Sequence, residues 1–382
     1  MMEMPATHIC IASGQNLPNL IPALQYHAQR VFIIQTREMV EKAGNLSAAL
    51  KPHGIQVERI SFDDSTPENI IRSAQQIAMT LGENPVVFNA TGGHKLMTLA
   101  LTTEMQALAG NNMHLIYCET RHDRIDQLLP SAIIDPMPDL LKLDDYLITQ
   151  GYRIKYRNDH DVKWMSDADQ RASLTRKMGD EADKLARFFG ALNRLADKAL
   201  ANGTDGPFRP VQEFEFTPGG RNAELVRDAE KLRLLKWNNE SEVVFSNAEA
   251  AQYFRGGWVE EYVWLKLRMI KPTDHAINLE IENVIKHTSN ELDAVLVHRN
   301  RMLIVECKSK RFGQNQGKDT DHVYKLAQLK QQLAGTMGRA LFLSARPVNQ
   351  DIKDRAAEYN IDVLAGEEIK QVVAYFKQWM IE

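Results

Sequence analysis

The chain has 382 residues, 44% of them hydrophobic and 25% charged, which is the composition of an ordinary globular protein with room for two or three domains. A net charge of −4 and a pI near 6.3 exclude a global basic field, so any binding to nucleic acid must be local. The start MMEMPATHIC lacks the basic segment and apolar core of a signal peptide, and no run of about 18 apolar residues spans a membrane. Cys10, Cys118 and Cys307 sit inside apolar runs at no metal-like spacing, as suits a reducing cytoplasm.

The N-terminal third alternates two patterns. HICIAS, VFIIQT, IQVERIS, PVVFNA and MHLIYCE are apolar runs of strand length. Between them, EMVEKAGNLSAALK, PENIIRSAQQIAMTL and HKLMTLALTTEMQALA have helical periodicity. This alternation predicts an α/β fold: a parallel sheet with helices on both faces, whose ligands bind beyond the carboxyl ends of the strands. The first of those ends reads Ser13-Gly14-Gln15-Asn16, and the second closes on Thr36. The fourth reads Asn89-Ala90-Thr91-Gly92-Gly93-His94-Lys95 and opens directly into a helix. Glycines let backbone amides approach a ligand, and a helix N-terminus favours anions. The string is neither GxxxxGK[ST] nor GxGxxG, and a tight turn that simply needs two glycines is the plain alternative.

Residues 141–254 are less legible. DYLITQGYRIKY begins a connector, and LTRKMGDEADKLARFFGALNRLADKAL predicts one periodic helix. After ANGTDGPFRP come the strand-like VQEFEF, a helix RNAELVRDAEKLRLL, and EVVFSNAEAAQYF. The region reads either as a winged-helix-like adaptor or as the start of the next domain. Its alanine and leucine stripe is core, and it holds no catalytic cluster.

From Gly256 the string GGWVEEYVW opens a helix with Trp258, Tyr262 and Leu265 on one face. Glu260 and Glu261 in its first turn suit the positive end of the macrodipole. One of them is expected to point at the segment that follows. Glu260 is preferred, because Glu261 lies near the opposite side of the helix.

That segment is NELDAVLVHRNRMLIVECKSK, in which two apolar runs flank Arg299-Asn300-Arg301 and predict a β-hairpin. A turn at Arg299-Asn300 sets Asp293 opposite Glu306, and a turn at Asn300-Arg301 sets it opposite Lys308. In both registers Asp293, Glu306 and Lys308 share a face. Opposed Cβ atoms lie roughly 4.5–5.5 Å apart, close enough for two carboxylates to hold one hard cation. A solvated surface hairpin is the alternative.

The following SKRFGQNQGKDTDH, with Lys310, Arg311 and Lys318 beyond Lys308, reads as a basic loop suited to a phosphodiester backbone. A helix VYKLAQLKQQLAG brings Lys325 and Gln328 within reach, and a strand RALFLSA follows. Oxygen ligands point to Mg²⁺ or Mn²⁺, held by Asp293, Glu306 and the Cys307 carbonyl. Lys308 would orient the attacking water or neutralise phosphate charge.

An Asp at the head of one strand and Glu306-Cys307-Lys308 at the end of the next resembles the PD-(D/E)xK nuclease superfamily, with Leu292 where the leading Pro usually stands. GGWxEEY resembles the helix whose glutamate completes the metal site in many of those enzymes. Thr91-Gly92-Gly93 with Lys95 resembles the signature of CARF domains, the CRISPR-associated Rossmann-like sensors, with His94 in place of the usual Thr or Ser. Ser13 to Asn16 matches their polar ligand loop.

The two together resemble the type III CRISPR ancillary nucleases of the Can/Card group. That resemblance implies a Rossmann-like CARF sensor at 1–140, a connector at 141–254 and a restriction-endonuclease-like α/β domain at 255–382. It implies a cytoplasmic homodimer that binds a cyclic oligoadenylate, foremost cyclic tetra-adenylate. Its ligand contacts would be Ser13, Gln15, Asn16, Thr36, Asn89, Thr91, Gly92, Gly93, His94 and Lys95. Metal-dependent cleavage of single-stranded DNA or RNA, or of duplex DNA, would fall to Asp293, Glu306, Lys308 and Glu260. A constitutive restriction or repair endonuclease is one alternative. A nucleotide-binding regulator with a dead hairpin is another, against which the intact Asp293, Glu306 and Lys308 argue.

Overall fold

The alternating N-terminal pattern forms a seven-stranded sheet in the computed structural model of the chain, which describes residues 4–200, 207–310 and 316–382. Its strands are β1 (Thr7–Ile11), β2 (Arg30–Gln35), β3 (Gln56–Ser61), β4 (Val86–Asn89), β5 (Met113–Glu119), β6 (Arg124–Leu129) and β7 (Ile133–Pro136). They lie in the order β3-β2-β1-β4-β5-β6-β7. The first five are parallel, and the order reverses between β1 and β4.

The five expected strands are parallel as predicted, and two strands the sequence reading did not mark, β6 and β7, extend one edge antiparallel. Only residues 120–123 separate β5 from β6, and a parallel crossover needs about a dozen residues. Helices Val40–Leu50, Pro67–Leu81 and Lys95–Ala109 form as the periodicity predicts. A further helix, Leu17–Gln25, was masked in the sequence by Pro18 and Pro22. Proline suits a first turn but removes an interior donor.

The second half of the chain contributes β8 (Tyr152–Tyr156), β9 (Val211–Glu213), β10 (Leu235–Trp237), β11 (Glu242–Phe245), β12 (Asp274–Asn283), β13 (Ser289–His298), β14 (Arg301–Lys308), β15 (Gly338–Ser344) and β16 (Asp362–Ala365). Six of these make a sheet in the order β16-β15-β14-β13-β12-β8. It is antiparallel from β8 to β14 and parallel from β14 to β16. The YRIKY segment of the connector is therefore a strand of the C-terminal sheet.

The single long helix expected before residue 200 is two, Val162–Asp180 and Ala182–Ala199, broken at Glu181. Helix Arg221–Lys231 and the small antiparallel sheet β10-β11-β9 complete the middle region.

The two faces of the six-stranded sheet bury different partners. Ala294, Leu296, Leu303 and Val305 pack with Phe189 and Trp258 under the middle-region helices. Val295, Val297, Met302 and Ile304 pack with Leu17, Leu20, Leu46 and Tyr146 from the N-terminal half. One apolar core thus runs through both halves of the chain, and parting them would expose it to water.

Polar contacts lock the same junction. The β13–β14 turn is Arg299-Asn300, both left-handed (φ 50° and 55°) as a tight two-residue hairpin turn requires. Asn300 is 1% exposed. Its Oδ1 accepts from the amides of Leu140 (2.9 Å) and Leu141 (3.0 Å), and its Nδ2 donates to Pro138 O at 2.6 Å. Its own carbonyl accepts from the Tyr146 hydroxyl at 2.5 Å. Beside it, Asp123 in the β5–β6 turn pairs with Arg301 and, at 3.3 Å, with Arg299. Farther along the junction, Gly335 (φ 56°) follows the turn Lys330–Ala334 with Gln15 so close that a Cβ there would lie 1.8 Å from Gln15 Oε1.

Asn300→Ala would leave the two amides and a carbonyl unpaired in the core, each at a cost of about 1–3 kcal/mol less whatever relaxation recovers. The expected result in urea unfolding is a loss of about 2 kcal/mol or more.

Candidate functional sites

The β13–β14 ladder follows the first of the two registers, with His298 paired to Arg301 and Ala294 to Val305. Pairing stops there, one step before Asp293 and Glu306 would face each other. The reason is visible in the hydrogen bonds: Asp293 Oδ2 accepts the Cys307 amide at 2.6 Å, so a side chain replaces the next rung. The strands part at this point, and the carboxylates fill the opening. Beyond it, Asn193 Nδ2 holds both the carbonyl and the hydroxyl of Ser309 at 3.1 Å, which anchors the end of β14.

Lys308 shows what this opening attracts. Its ammonium lies 2.6 Å from Glu306 Oε1, 3.0 Å from the Cys307 carbonyl and 3.4 Å from Asp293 Oδ2. Three oxygens converge on one cation, and they are the three expected as metal ligands. Burial opposes the lysine's charge, but Asp293 and Glu306 outweigh it and raise its pKa above the ordinary range. Among the described residues no three His, Cys, Asp or Glu side chains form a metal cluster by themselves. The donor set is two carboxylates and a main-chain carbonyl. That set suits Mg²⁺, which commonly takes one or two carboxylates and keeps several waters.

Helix Trp258–Leu267 separates its two acids. Glu261 is 3% exposed and paired with Arg171 at 2.5 Å, with Thr175 at 3.4 Å, inside the helical core. Glu260 lies on the side of the hairpin and accepts from Asn278 Nδ2 at 2.9 Å; a cleft of about 340 Å³ is lined by both acids together with Asn278 and Glu291. Burial raises the Glu260 carboxyl to about 8 and the charge of Asp293 adds to it, while Asn278 and Lys308 act in the opposite sense. Burial, then Glu306, raises Asp293 to about 6 against Lys308 and the Cys307 amide.

The next helix, Gln316–Leu329, brings a residue that the sequence did not flag. His322 Nδ1 stands 3.9 Å from Glu306 Oε1, whereas Lys325 and Gln328 are exposed. The Arg311 and Lys318 side chains of the expected basic loop lie outside the described residues.

At the other end of the chain, the loops after β1 and β4 meet where the strand order reverses, the position at which open α/β sheets bind ligands. A Cβ on Gly92 would lie 2.2 Å from the Ile11 carbonyl, and Gly93 has φ 83° against the Ile11 side chain, so both positions need glycine. His94 caps the helix, its Nδ1 accepting from Met97 N at 3.4 Å, which is how it fills a place usually held by a hydroxyl.

The other expected ligand residues divide by burial. Asn16 and Asn89 are buried and spend their carboxamides on the neighbouring helices, donating to the carbonyls of Lys42 and Pro18. Thr91 donates to Asn89 Oδ1 at 2.6 Å and accepts from Cys118 N at 2.7 Å. Ser13 bonds the Gln15 carbonyl at 2.8 Å, and Thr36 is buried at the end of β2. Gly93, His94 and Lys95 are exposed, and Gln15 is half-buried.

An acid raised on folding stabilises the protein at low pH and loses that contribution as pH climbs through the folded value. With chelator present, the melting temperature is therefore expected to fall as pH rises through about 6 and then about 8. Glu260→Gln should remove the upper part of that fall. A melting temperature that rises with pH across this window would contradict the crowded-carboxylate site.

Residues 7–146 match the family described as the Card1 CARF domain, and residues 247–382 match the Card1-like endonuclease domain. No curated protein matches the chain. Can2 from Sulfobacillus thermosulfidooxidans, solved in complex with cyclic tetra-adenylate, is 24% identical over 99% of this chain and 98% of that one, with a TM-score of 0.79. Protein VC1899 from Vibrio cholerae is 22% identical over 98% of both chains, with a TM-score of 0.83. A type III CRISPR defence DNA nuclease activated by cyclic oligoadenylate is 17% identical; 96% of this chain aligns with 49% of that one at a TM-score of 0.53. The first two likenesses show that the fold is shared end to end. With a Card1 CARF domain at one end and a Card1-like endonuclease domain at the other, the chain belongs to the CARF-domain endonucleases of the Card1 type.

Proposed function

We propose that the chain is a cyclic-oligoadenylate-activated, metal-dependent nuclease of type III CRISPR defence, built on a PD-(D/E)xK site. The observation that carries the catalytic half is the Lys308 ammonium, held by the three oxygens of Asp293, Glu306 and Cys307. Those atoms would hold Mn²⁺ or Mg²⁺. The metal would polarise the scissile phosphate and lower the pKa of a bound water. The Cys307 amide fixes the orientation of Asp293. Lys308, once displaced from the carboxylates, is free to face the phosphate or the attacking water. Glu260 completes the acidic wall, and His322 closes the side toward the solvent.

The regulatory half rests on the loops at the strand reversal and on the fold shared with Can2, whose structure contains cyclic tetra-adenylate. Gln15, His94 and Lys95 would reach the ligand. Asn16, Thr36, Asn89 and Thr91 brace the loops that carry them, and Gly92 and Gly93 let the backbone come close. In a two-fold homodimer each sensor would face one half of a symmetric ring. We assign residues 1–140 to the sensor, 141–254 to a connector that lends β8 to the nuclease sheet, and 255–382 to the nuclease. No helix among the described residues is long and apolar enough to cross a membrane, and we place the protein in the cytoplasm. Single-stranded DNA or RNA and duplex DNA are the substrates to test.

In an assay of the purified chain with Mn²⁺, each nucleic acid, and cyclic tetra-adenylate present or absent, cleavage should require the ligand. Equal cleavage without it would mean a constitutive endonuclease. Glu306→Ala should abolish cleavage and leave oligoadenylate binding intact. Lys95→Ala should weaken that binding roughly tenfold or more, as loss of a charged contact does. If Asp293→Asn cuts as fast as the native chain, the site is misplaced.

A further inference from the structure

One strand next to the site departs from regular geometry. Asn278, inside β12, has φ 45°, where an extended strand lies near −140°. Such a left-handed residue is strained and is best tolerated by Gly, Asn or Asp.

The β12–β13 ladder pairs Ile277 with Ala294 and resumes at Leu279 with Leu292, passing over Asn278 and Asp293. On a regular strand Ile277 and Leu279 would face the same way. Here Ile277 and Ala294 enter the core under the middle-region helices, while Leu279 and Leu292 enter the core shared with the sensor. The pleat turns over at Asn278 and Asp293 with no change of register, because one residue on each strand drops out of the ladder. At that inversion Asn278 Nδ2 meets Glu260 Oε2 at 2.9 Å. The bond engages one carboxylate oxygen, which leaves the other for a cation.

We propose that Asn278 is a positioning residue of the metal site: its kink and carboxamide hold Glu260 beside Asp293 so that both face the same cation. The inference rests on the nuclease reading above. Asn278 acts through Glu260 and touches neither metal nor substrate.

Asn278→Gly tests this cleanly, because glycine keeps the left-handed backbone and removes only the carboxamide. The measurement is Mn²⁺ affinity of the full chain without nucleic acid, read from the electron paramagnetic resonance of free Mn²⁺. Partners of this kind set metal affinity by about 10–100-fold, so N278G should weaken Mn²⁺ binding at least tenfold. Its melting temperature in chelator should stay within about a degree or two of native, the shift of a fraction of a kcal/mol. In a Glu260→Gln background, N278G should weaken binding no further, because the two act as one unit. Native Mn²⁺ affinity in N278G, or an equal loss with and without Glu260, would overturn the proposal. If Glu306→Ala loses Mn²⁺ while N278G does not, the metal site stands and this inference alone falls. A native chain that binds no Mn²⁺ would remove both.

Discussion

The turn of the β13–β14 hairpin is held by the sensor half of the chain, and this contact constrains much of the rest. Asn300 takes up the loose backbone of residues 138–141, while Tyr146 closes on the Asn300 carbonyl. From that fixed turn β13 and β14 run to Asp293 and Glu306 at the far end. The hairpin is thus tied at its turn to the N-terminal half and carries Asp293 and Glu306 at its far end. Its two faces are buried in different cores, so it has little freedom to tilt without disturbing one of them.

The site itself is a problem in charge crowding. Asp293, Glu306 and Glu260 are brought into a half-buried opening with Glu291 nearby, and Lys308 is the cation that the chain supplies. An internal ammonium can balance the acids in the metal-free protein, but it sits on the ligand atoms themselves. Binding of a divalent ion by the same oxygens would then be an exchange of one cation for another. A lysine suits such an exchange because its charge rides on a long flexible stem.

Chemistry that depends on residue type and period was legible in the sequence. The shared placement of Asp293, Glu306 and Lys308 followed from strand alternation and a recognisable turn. The separation of Glu260 from Glu261 followed from helix geometry. What stayed hidden depends on single backbone angles or on distant contacts. Asn278 looks like any polar strand residue until its left-handed φ is known. His322 lay one residue before the helix that the apolar period marked, which in fact starts at Gln316. Asn300 read as turn chemistry, and nothing local reveals the amides of Leu140 and Leu141 some 160 residues away. The antiparallel edge β6-β7 is short and weakly patterned, so these two strands were not marked in the sequence.

The contact between Gln15 and Gly335 bears on how modular such a chain is. Any side chain at 335 would meet only the carboxamide end of Gln15, which can swing aside, but it would also have to adopt a left-handed backbone. A nuclease half grafted onto a foreign sensor would therefore face a mild demand at this spot: a residue that accepts φ 56°, and a neighbour after β1 flexible enough to make room. The demand at Asn300 is stricter, because its partners are backbone groups that cannot swing away. Recombination between relatives would be expected to be limited by the hairpin turn sooner than by the pair Gln15 and Gly335.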